Sequence, residues 1–519
     1  MDTTPDGAPA GGGWDDLIIG GGTAGCVLAA RLSQDPDRRV LLVEAGGAPA
    51  PPADPPEPVG KPVLLGAVWQ YLAYTDAAGP GRRQFPYSVG RVLGGSSATN
   101  GAIALRGLPE DFADWAADGS PLWSWDLVAP YFRAIENDAD VKGPAHGHEG
   151  PIPVRREQAE AFTPLSRAFH EECLALGLED LADLNEDGRP GVGIVPTNTE
   201  AGLRVSSAMA YLDPVATRRN LTVWTQAEAS SVTVRGGRAT GARIVHAGRV
   251  TEVAAGRVTL CAGAVNTPLI LERSGIGDPA RLAELGIPVL IEAPGVGENL
   301  SDHVSMAVWA VPRAGACRDG APWHGHLARV ATDGGQRPDL ILSMLANVST
   351  RGVPIIGEIV GGRIAATVSA MLLRPVSRGR VHLAGADPAG PPEIELAIAS
   401  APEDVETLAT ATRLVWGAVR GPRMAGLLER VLIWTDRMVG DEEMLRRSIP
   451  KFVAPLWHAA GTAKMGPDGD PDAVVDQRFR VRGVDGLRIV DASVMPTVIS
   501  GPTAMTCLVL GERAAEWMA

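Results

Sequence analysis

The chain has 519 residues, with 47 Lys+Arg against 61 Asp+Glu and a formal net charge of −14. That length holds one large α/β body or two to three domains, and the ordinary mixture of 45% hydrophobic and 21% charged residues excludes wholesale disorder. The acidic balance excludes a nucleic-acid partner, because no basic field exists to neutralise phosphates, and no apolar run reaches the roughly 18 residues of a spanning helix.

In chain order, residues 1 to 13 are polar and rich in Gly and Pro, without the charged and apolar stretches of a secretory signal. Cys26, Cys173, Cys261, Cys317 and Cys507 are odd in number and contain no CxxC pair, which suits a reducing compartment and a cytoplasmic location. Trp14 to Ile19 reads as a short apolar strand, Cys26 to Ser33 as a helix, and Val40 to Val43 as a second strand. Together they form the strand, turn, helix, strand unit of a doubly wound α/β domain. Residues 47 to 62 are too rich in proline for helix or central strand and read as a surface loop. Short β-like runs follow at Leu221 to Trp224, Ser231 to Val234, Ala242 to His246 and Val258 to Leu260, separated by Gly-rich turns. Residues 313 to 338 read as a mobile loop, 403 to 430 as helical, and Ala504 to Met518 as a terminal helix.

Two segments point to a dinucleotide. Gly20, Gly22 and Gly25 have the G-x-G-x-x-G spacing after a strand and before a helix. The first permits the tight turn, the second lets backbone approach a pyrophosphate, and the third lets helix pack on strand. Glu44 ends the second strand, 19 residues past Gly25, where a carboxylate accepts hydrogen bonds from a ribose and disfavours a 2′-phosphate. A Gly-rich string alone is more often a plain turn; its placement and Glu44 decide for dinucleotide binding. Residues 90 to 101 (GRVLGGSSATNG) are short of bulky side chains, so their backbone and hydroxyl donors can pack against phosphates and a planar ring.

Further on stand residues 263 to 277 (GAVNTPLILERSGIG), 295 to 303 (GVGENLSDH), 457 to 466 (WHAAGTAKMG) and 491 to 496 (DASVMP). With the two segments above, and in this order over nearly the whole chain, they resemble the glucose–methanol–choline (GMC) oxidoreductases. The resemblance implies an FAD-binding domain assembled from 14–155, 205–305 and 455–519, and a sheet-and-helix substrate domain from 156–204 and 306–454. It implies that Gly20, Gly22, Thr23, Ala24, Gly25, Glu44 and Ala45 hold the ADP half of FAD. Arg91, Gly94, Gly95, Ser96, Asn100 and Gly101 would line the pyrophosphate and isoalloxazine, with Ala229 at the adenine. Ala262, Asp491, Ala492, Pro502 and Thr503 would complete the cofactor site. Relatives with covalent flavin carry a histidine where this chain has Thr99, so the FAD is expected to be non-covalent.

His458 is the expected catalytic base, since alcohol oxidation removes the hydroxyl proton as hydride leaves carbon, and an imidazole suits that transfer. Trp457 beside it is a candidate wall of the substrate pocket, and Thr503 a candidate second catalytic group. The family usually places a second His or Asn eleven residues past the aspartate of the Asp-x-Ser turn, but here that position is Pro502, which has no side-chain donor. The expected reaction is oxidation of a small-molecule alcohol to a carbonyl, with electrons passing to O2, a quinone or another carrier. Two alternatives stay open: a mycofactocin-associated type of dehydrogenase, or a non-redox lyase or decarboxylase on the same fold. His146 and His148, and His324 and His326, have ligand-like spacing but lie in Gly-rich loops without Cys or carboxylate partners, so no metal site is expected. His303 reads as structural, and Cys26 and Cys261 as small buried side chains.

Overall fold

The computed structural model describes residues 13–49, 67–76, 82–348, 354–385, 387 and 390–519. The Pro-rich segment falls outside them from residue 50 to its end. The chain is mixed α/β, and two large sheets organise it.

The first sheet grows from the N-terminal unit: β1 (Trp14–Ile19), α1 (Thr23–Leu32) and β2 (Val40–Val43). Leu17 and Ile18 on β1, and Leu41 and Leu42 on β2, are fully buried. Strands apolar on both faces belong in the middle of a parallel sheet covered on both sides, and β1 pairs in parallel with β2 and with Arg249–Leu260. Leu221–Trp224 and Leu487–Ile489 extend the parallel part, and the hairpins of Ala227–Arg235, Arg238–His246 and Arg249–Leu260 complete it. The terminal helix Ala504–Met518 packs on α1, and at Gly511 a Cβ would lie 2.8 Å from Val27 Cβ. Only glycine lets the two helices approach that closely.

The second sheet is antiparallel. Its order is Leu428–Val431, Val304–Pro312, Ala365–Leu372, Leu340–Val348, His324–Val330 and Gly191–Ile194. The helix Pro402–Arg420 buries Leu408, Ala411 and Val415 in the core beneath it. A smaller sheet joins Val68–Tyr74 and Gln84–Gly90 to Pro392–Glu395 and Arg380–Leu383.

Two expectations are corrected. The stretch read as a mobile loop, 313–338, contains the strand His324–Val330, laddered on both sides and with Leu327 and Ala328 buried. Its Gly and Arg content hid the strand, because pairing on both edges overrides weak local propensity. The helix expected over 403–430 stops at Arg420, before Gly421 and Pro422, and Leu428–Val431 is an edge strand.

Candidate active site

The glycines of the first turn meet what their spacing demands. Gly20 has φ +106, and a Cβ at Gly25 would lie 2.0 Å from the Gly20 carbonyl oxygen. At Gly22 a Cβ would meet Cys261 O at 3.7 Å and Gly95 Cα at 4.0 Å, ordinary contacts, so the protein does not crowd that backbone beside the first residues of α1, Thr23 and Ala24. The second glycine segment crosses directly over this turn: Gly94 N donates to Gly21 O at 2.7 Å, and a Cβ at Gly95 would lie 2.7 Å from Gly22 Cα. Ser96 lies in the short 3-10 turn after this crossing. The two segments, remote in sequence, make one cradle.

Glu44 closes its edge. Its Oε2 accepts from Gly21 N at 2.9 Å and its Oε1 from Gly46 N at 2.7 Å, beside Ala45. Burial pushes this carboxyl up to about 7, against the pull of those two backbone donors. Ala229 is buried in the strand Ala227–Arg235. Arg91 stacks over the Trp69 ring at 4.1 Å and lies 3.5 Å from Glu228.

On the other side, Ala262 precedes the helix Gly263–Arg273, and a Cβ at Gly263 would meet no atom within 4 Å. Asp491 holds this helix start, its Oδ2 accepting from Gly263 N at 3.0 Å and from Thr267 Oγ1 at 2.7 Å. Ala492 O accepts from Gly461 N at 3.1 Å, which joins this turn to the segment carrying His458. Asn100 Oδ1 accepts from Ala102 N at 3.0 Å and from Arg204 at 2.5 Å. Arg204, unassigned by the sequence reading, is buried enough that its guanidinium is pushed down to about 10. A Cβ at Gly101 would lie 3.2 Å from His324 Nε2. Two uncrowded glycine backbones at helix starts, a crossing loop without side-chain bulk and a carboxylate at the strand end fit an extended dinucleotide.

His458 reaches the site through strand pairing. Ala454–Pro455 pairs with the start of Val304–Pro312, Ser301 and Ala460 exchange backbone hydrogen bonds, and Leu456 N donates to His303 O at 3.1 Å. Asp302 Oδ1 accepts from His458 N at 2.8 Å while its Oδ2 accepts from Tyr87 OH at 2.6 Å. Asn299 (φ +58) ties the same turn down, donating to Gly461 O at 3.2 Å and Pro496 O at 3.1 Å. Trp457 sits at φ +58, a left-handed conformation costly for a bulky residue, and its ring is 48% exposed beside Phe85 at 6.1 Å.

His303 stands at the side of His458. Their Nδ1 atoms are 2.9 Å apart and the rings cross at 84°. His303 Nε2 lies 3.1 Å from the Leu373 carbonyl oxygen. Burial pushes His303 down to about 4, although the Leu373 and Ile499 carbonyls pull the other way. Burial, and then His303, hold His458 well below the usual histidine range. Both imidazoles are therefore neutral at pH 7.

The sequence reading takes His303 as structural and does not place it against His458. Nothing in its spacing announces a partner 155 residues away; the one available signal was a histidine directly after an aspartate in a motif segment. Thr503 precedes the terminal helix, its carbonyl accepting from Cys507 N at 2.9 Å, and Ser500 is bound to Asp111 at 2.7 and 2.5 Å. Among the described residues, the ring partner of His458 is His303, and neither Pro502 nor Thr503 takes that place.

His146 also departs from expectation. Glu136 Oε2 and Asp138 Oδ2 lie 3.3 and 3.4 Å from its Nδ1, and Asp183 Oδ2 lies 3.1 Å from its Nε2. Glu136 and Asp138 share the short strand Glu136–Asp138 upstream and Asp183 comes from a later segment, so only the fold brings all three to the ring. Arg106 and Arg156 bind the same acids, so three cations face three carboxylates and the cluster is charge-balanced as it stands. His324 faces Gly101, and His326 stacks on His170 at 4.6 Å. Cys26 and Cys261 are buried, with the Cys26 thiol pushed up to about 12 and that of Cys261 pushed well up, which removes both as nucleophiles at neutral pH.

Comparison with known proteins follows the same geometry. The GMC oxidoreductase family models match residues 14–305 and 375–511. A 5-(hydroxymethyl)furfural oxidase of Methylovorus sp. (strain MP688) is 36% identical over 533 residues, covering 97% of this chain and 98% of the relative. An alcohol dehydrogenase (acceptor) of Pseudomonas putida is 32% identical, covering 97% and 95%. The crystal structure of pyridoxine 4-oxidase from Mesorbium loti superposes with a TM-score of 0.87 at 32% identity, covering 97% of this chain and 99% of that one. No helix among the described residues is long and apolar enough to cross a membrane.

Proposed function

We propose a reaction for this chain, which belongs to the GMC oxidoreductases and so takes FAD as its cofactor: oxidation of a small-molecule alcohol to its carbonyl. The observation that carries this reading is a neutral imidazole, His458, fixed by Asp302 and His303 in a segment that Gly461 ties to the Asp491–Ala492 turn. His458 takes the hydroxyl proton from the substrate as the carbinol C–H bond breaks. FAD, when bound, supplies the two-electron acceptor for the departing hydride. Gly20, Gly22, Gly25 and Glu44 would hold its ADP half, the 94–101 segment and Asp491 the remainder, and Thr99 offers no nucleophile for a covalent bond. The final electron acceptor would be O2, a quinone or another carrier. The five cysteines are free thiols, consistent with action in the cytoplasm.

The exposed Trp457 and its neighbour Phe85 support an alcohol borne on an aromatic ring. The relatives named for hydroxymethylfurfural and pyridoxine make hydroxymethyl groups on furan and pyridine rings the first candidates. The non-redox alternative draws on Pro502 standing where the family pattern has a second His or Asn, and His303 beside His458 weakens that ground. The mycofactocin-associated alternative draws on the Gly-Pro ending itself and stays open.

The test is anaerobic titration of the purified flavoprotein with ring-borne and aliphatic alcohols, followed at the flavin bands. Bleaching by aryl-methanols ahead of aliphatic alcohols is expected; no bleaching by any alcohol refutes the oxidation. A second measurement addresses the cradle. Glu44→Ala removes the acceptor for Gly21 N and Gly46 N, so FAD affinity should fall by about ten- to a hundredfold, on the order of 1–3 kcal/mol. The flavin-to-protein absorbance ratio after dilution and gel filtration reads this directly, and an unchanged ratio would remove Glu44 from the site.

A further inference from the structure

We infer that His303 is a positioning residue that fixes the tautomer of His458, so that the base presents Nε2, with its lone pair free, to the substrate. The inference rests on the proposed role of His458 as the base, and its argument is one of hydrogen-bond bookkeeping. A carbonyl oxygen only accepts, so the 3.1 Å contact to Leu373 O puts a hydrogen on His303 Nε2. A neutral imidazole carries one N–H, which leaves His303 Nδ1 bare. Two bare nitrogens 2.9 Å apart would repel, so His458 Nδ1 carries the hydrogen and donates it. The hydrogen of His458 is thereby committed to Nδ1, and Nε2 becomes the proton acceptor.

The arrangement is rigid at both ends. His303 is fully buried, its carbonyl accepts from Leu456 N, and the next residue begins the strand Val304–Pro312. Asp302 accepts from the His458 backbone N and from Tyr87 OH, while the His458 ring faces His303. Burial of His303 keeps it in the neutral form on which the argument depends. In water, imidazole favours the opposite tautomer, so without His303 much of His458 would present N–H to the substrate hydroxyl. Pro502, where the family pattern has a second His or Asn, has no group that could do this work.

The experiment uses the holoenzyme with 15N-labelled histidine, His458 being assigned by the signals lost in His458→Gln. The expected spectrum shows His458 protonated at Nδ1; protonation at Nε2 overturns the inference. His303→Leu removes the acceptor and should slow anaerobic flavin reduction by about 10²-fold, the scale of a lost general base, with alcohol affinity changed by less than about threefold. His303→Asn restores an acceptor and should recover the rate to within roughly tenfold of wild type, together with the Nδ1–H signal. His303→Leu reducing flavin at the wild-type rate refutes the role. If His303→Leu does not fold, the wild-type tautomer and the Asn variant still decide. If no alcohol bleaches the wild-type flavin, the proposed oxidation fails, while the tautomer measurement stands apart from it.

Discussion

His458→Ala is expected to slow anaerobic flavin reduction about 10²- to 10⁴-fold while FAD stays bound. The loss falls on the chemical step because His458 belongs to no part of the glycine cradle; its backbone is held by Asp302 and its ring by His303. Stopped-flow absorbance at saturating alcohol separates this from weaker binding, and a loss under about tenfold would exclude His458 as the base. The pH profile follows from burial. A base must be unprotonated to act, and His458 is held well below the ordinary histidine range. Its working form therefore persists as pH falls, and the wild-type reduction rate should stay level from about pH 8 to about pH 6.5, declining only further down. A decline centred above the ordinary histidine value would contradict a neutral pair.

The second large effect is on stability. Arg106→Leu should destabilise the holoenzyme by about 3–5 kcal/mol, read as a fall in the thermal or urea midpoint. Arg106 binds the fully buried Glu136 and also donates to Ala145 O at 2.9 Å. Without it, Glu136, Asp138 and Asp183 face only Arg156 and His146, and one buried carboxylate is left uncompensated. Replacing Arg337, whose pair with Asp114 is exposed, should cost about 1 kcal/mol or less and serves as the control. The same cluster has a pH signature. Hydrogen bonds to Asp183 and then Glu136 raise His146 to about 9, above its ordinary value of about 6.5. A raised histidine stabilises the fold fully below the unfolded value and loses that contribution as pH rises through about 9. Wild type should lose stability between about pH 7 and 10, and His146→Gln should lose less over the same range.

What was legible in the chain was local. The strand, turn, helix, strand unit from Trp14 to Val43 is readable because its apolar runs, its glycine spacing and Glu44 all act within about thirty residues of one another. The terminal helix Ala504–Met518 was legible for the same reason. The strand His324–Val330 was not, because its stability comes from neighbours at Leu340–Val348 and Gly191–Ile194 rather than from its own composition. The stop at Arg420 is marked by Gly421 and Pro422, which a reading of 403–430 as one helix passes over.

The candidate site divides along the same line. The sequence by itself pointed to the candidate residues: the glycine cradle and Glu44 from their spacing, Asp491 and His458 from the family resemblance of the segments that hold them. Only the tertiary structure decided what stands beside His458. That contact comes from pairing of Ala454–Pro455 with Val304–Pro312, which lays 299–303 against 458–461. It decided likewise that His146 sits among three carboxylates and two arginines drawn from separate segments. The physical reason is that periodicity and motif spacing encode which face a residue presents, whereas the choice of partner strand is made by the whole packed core, and a hydrogen bond between two imidazoles leaves no trace in either segment alone.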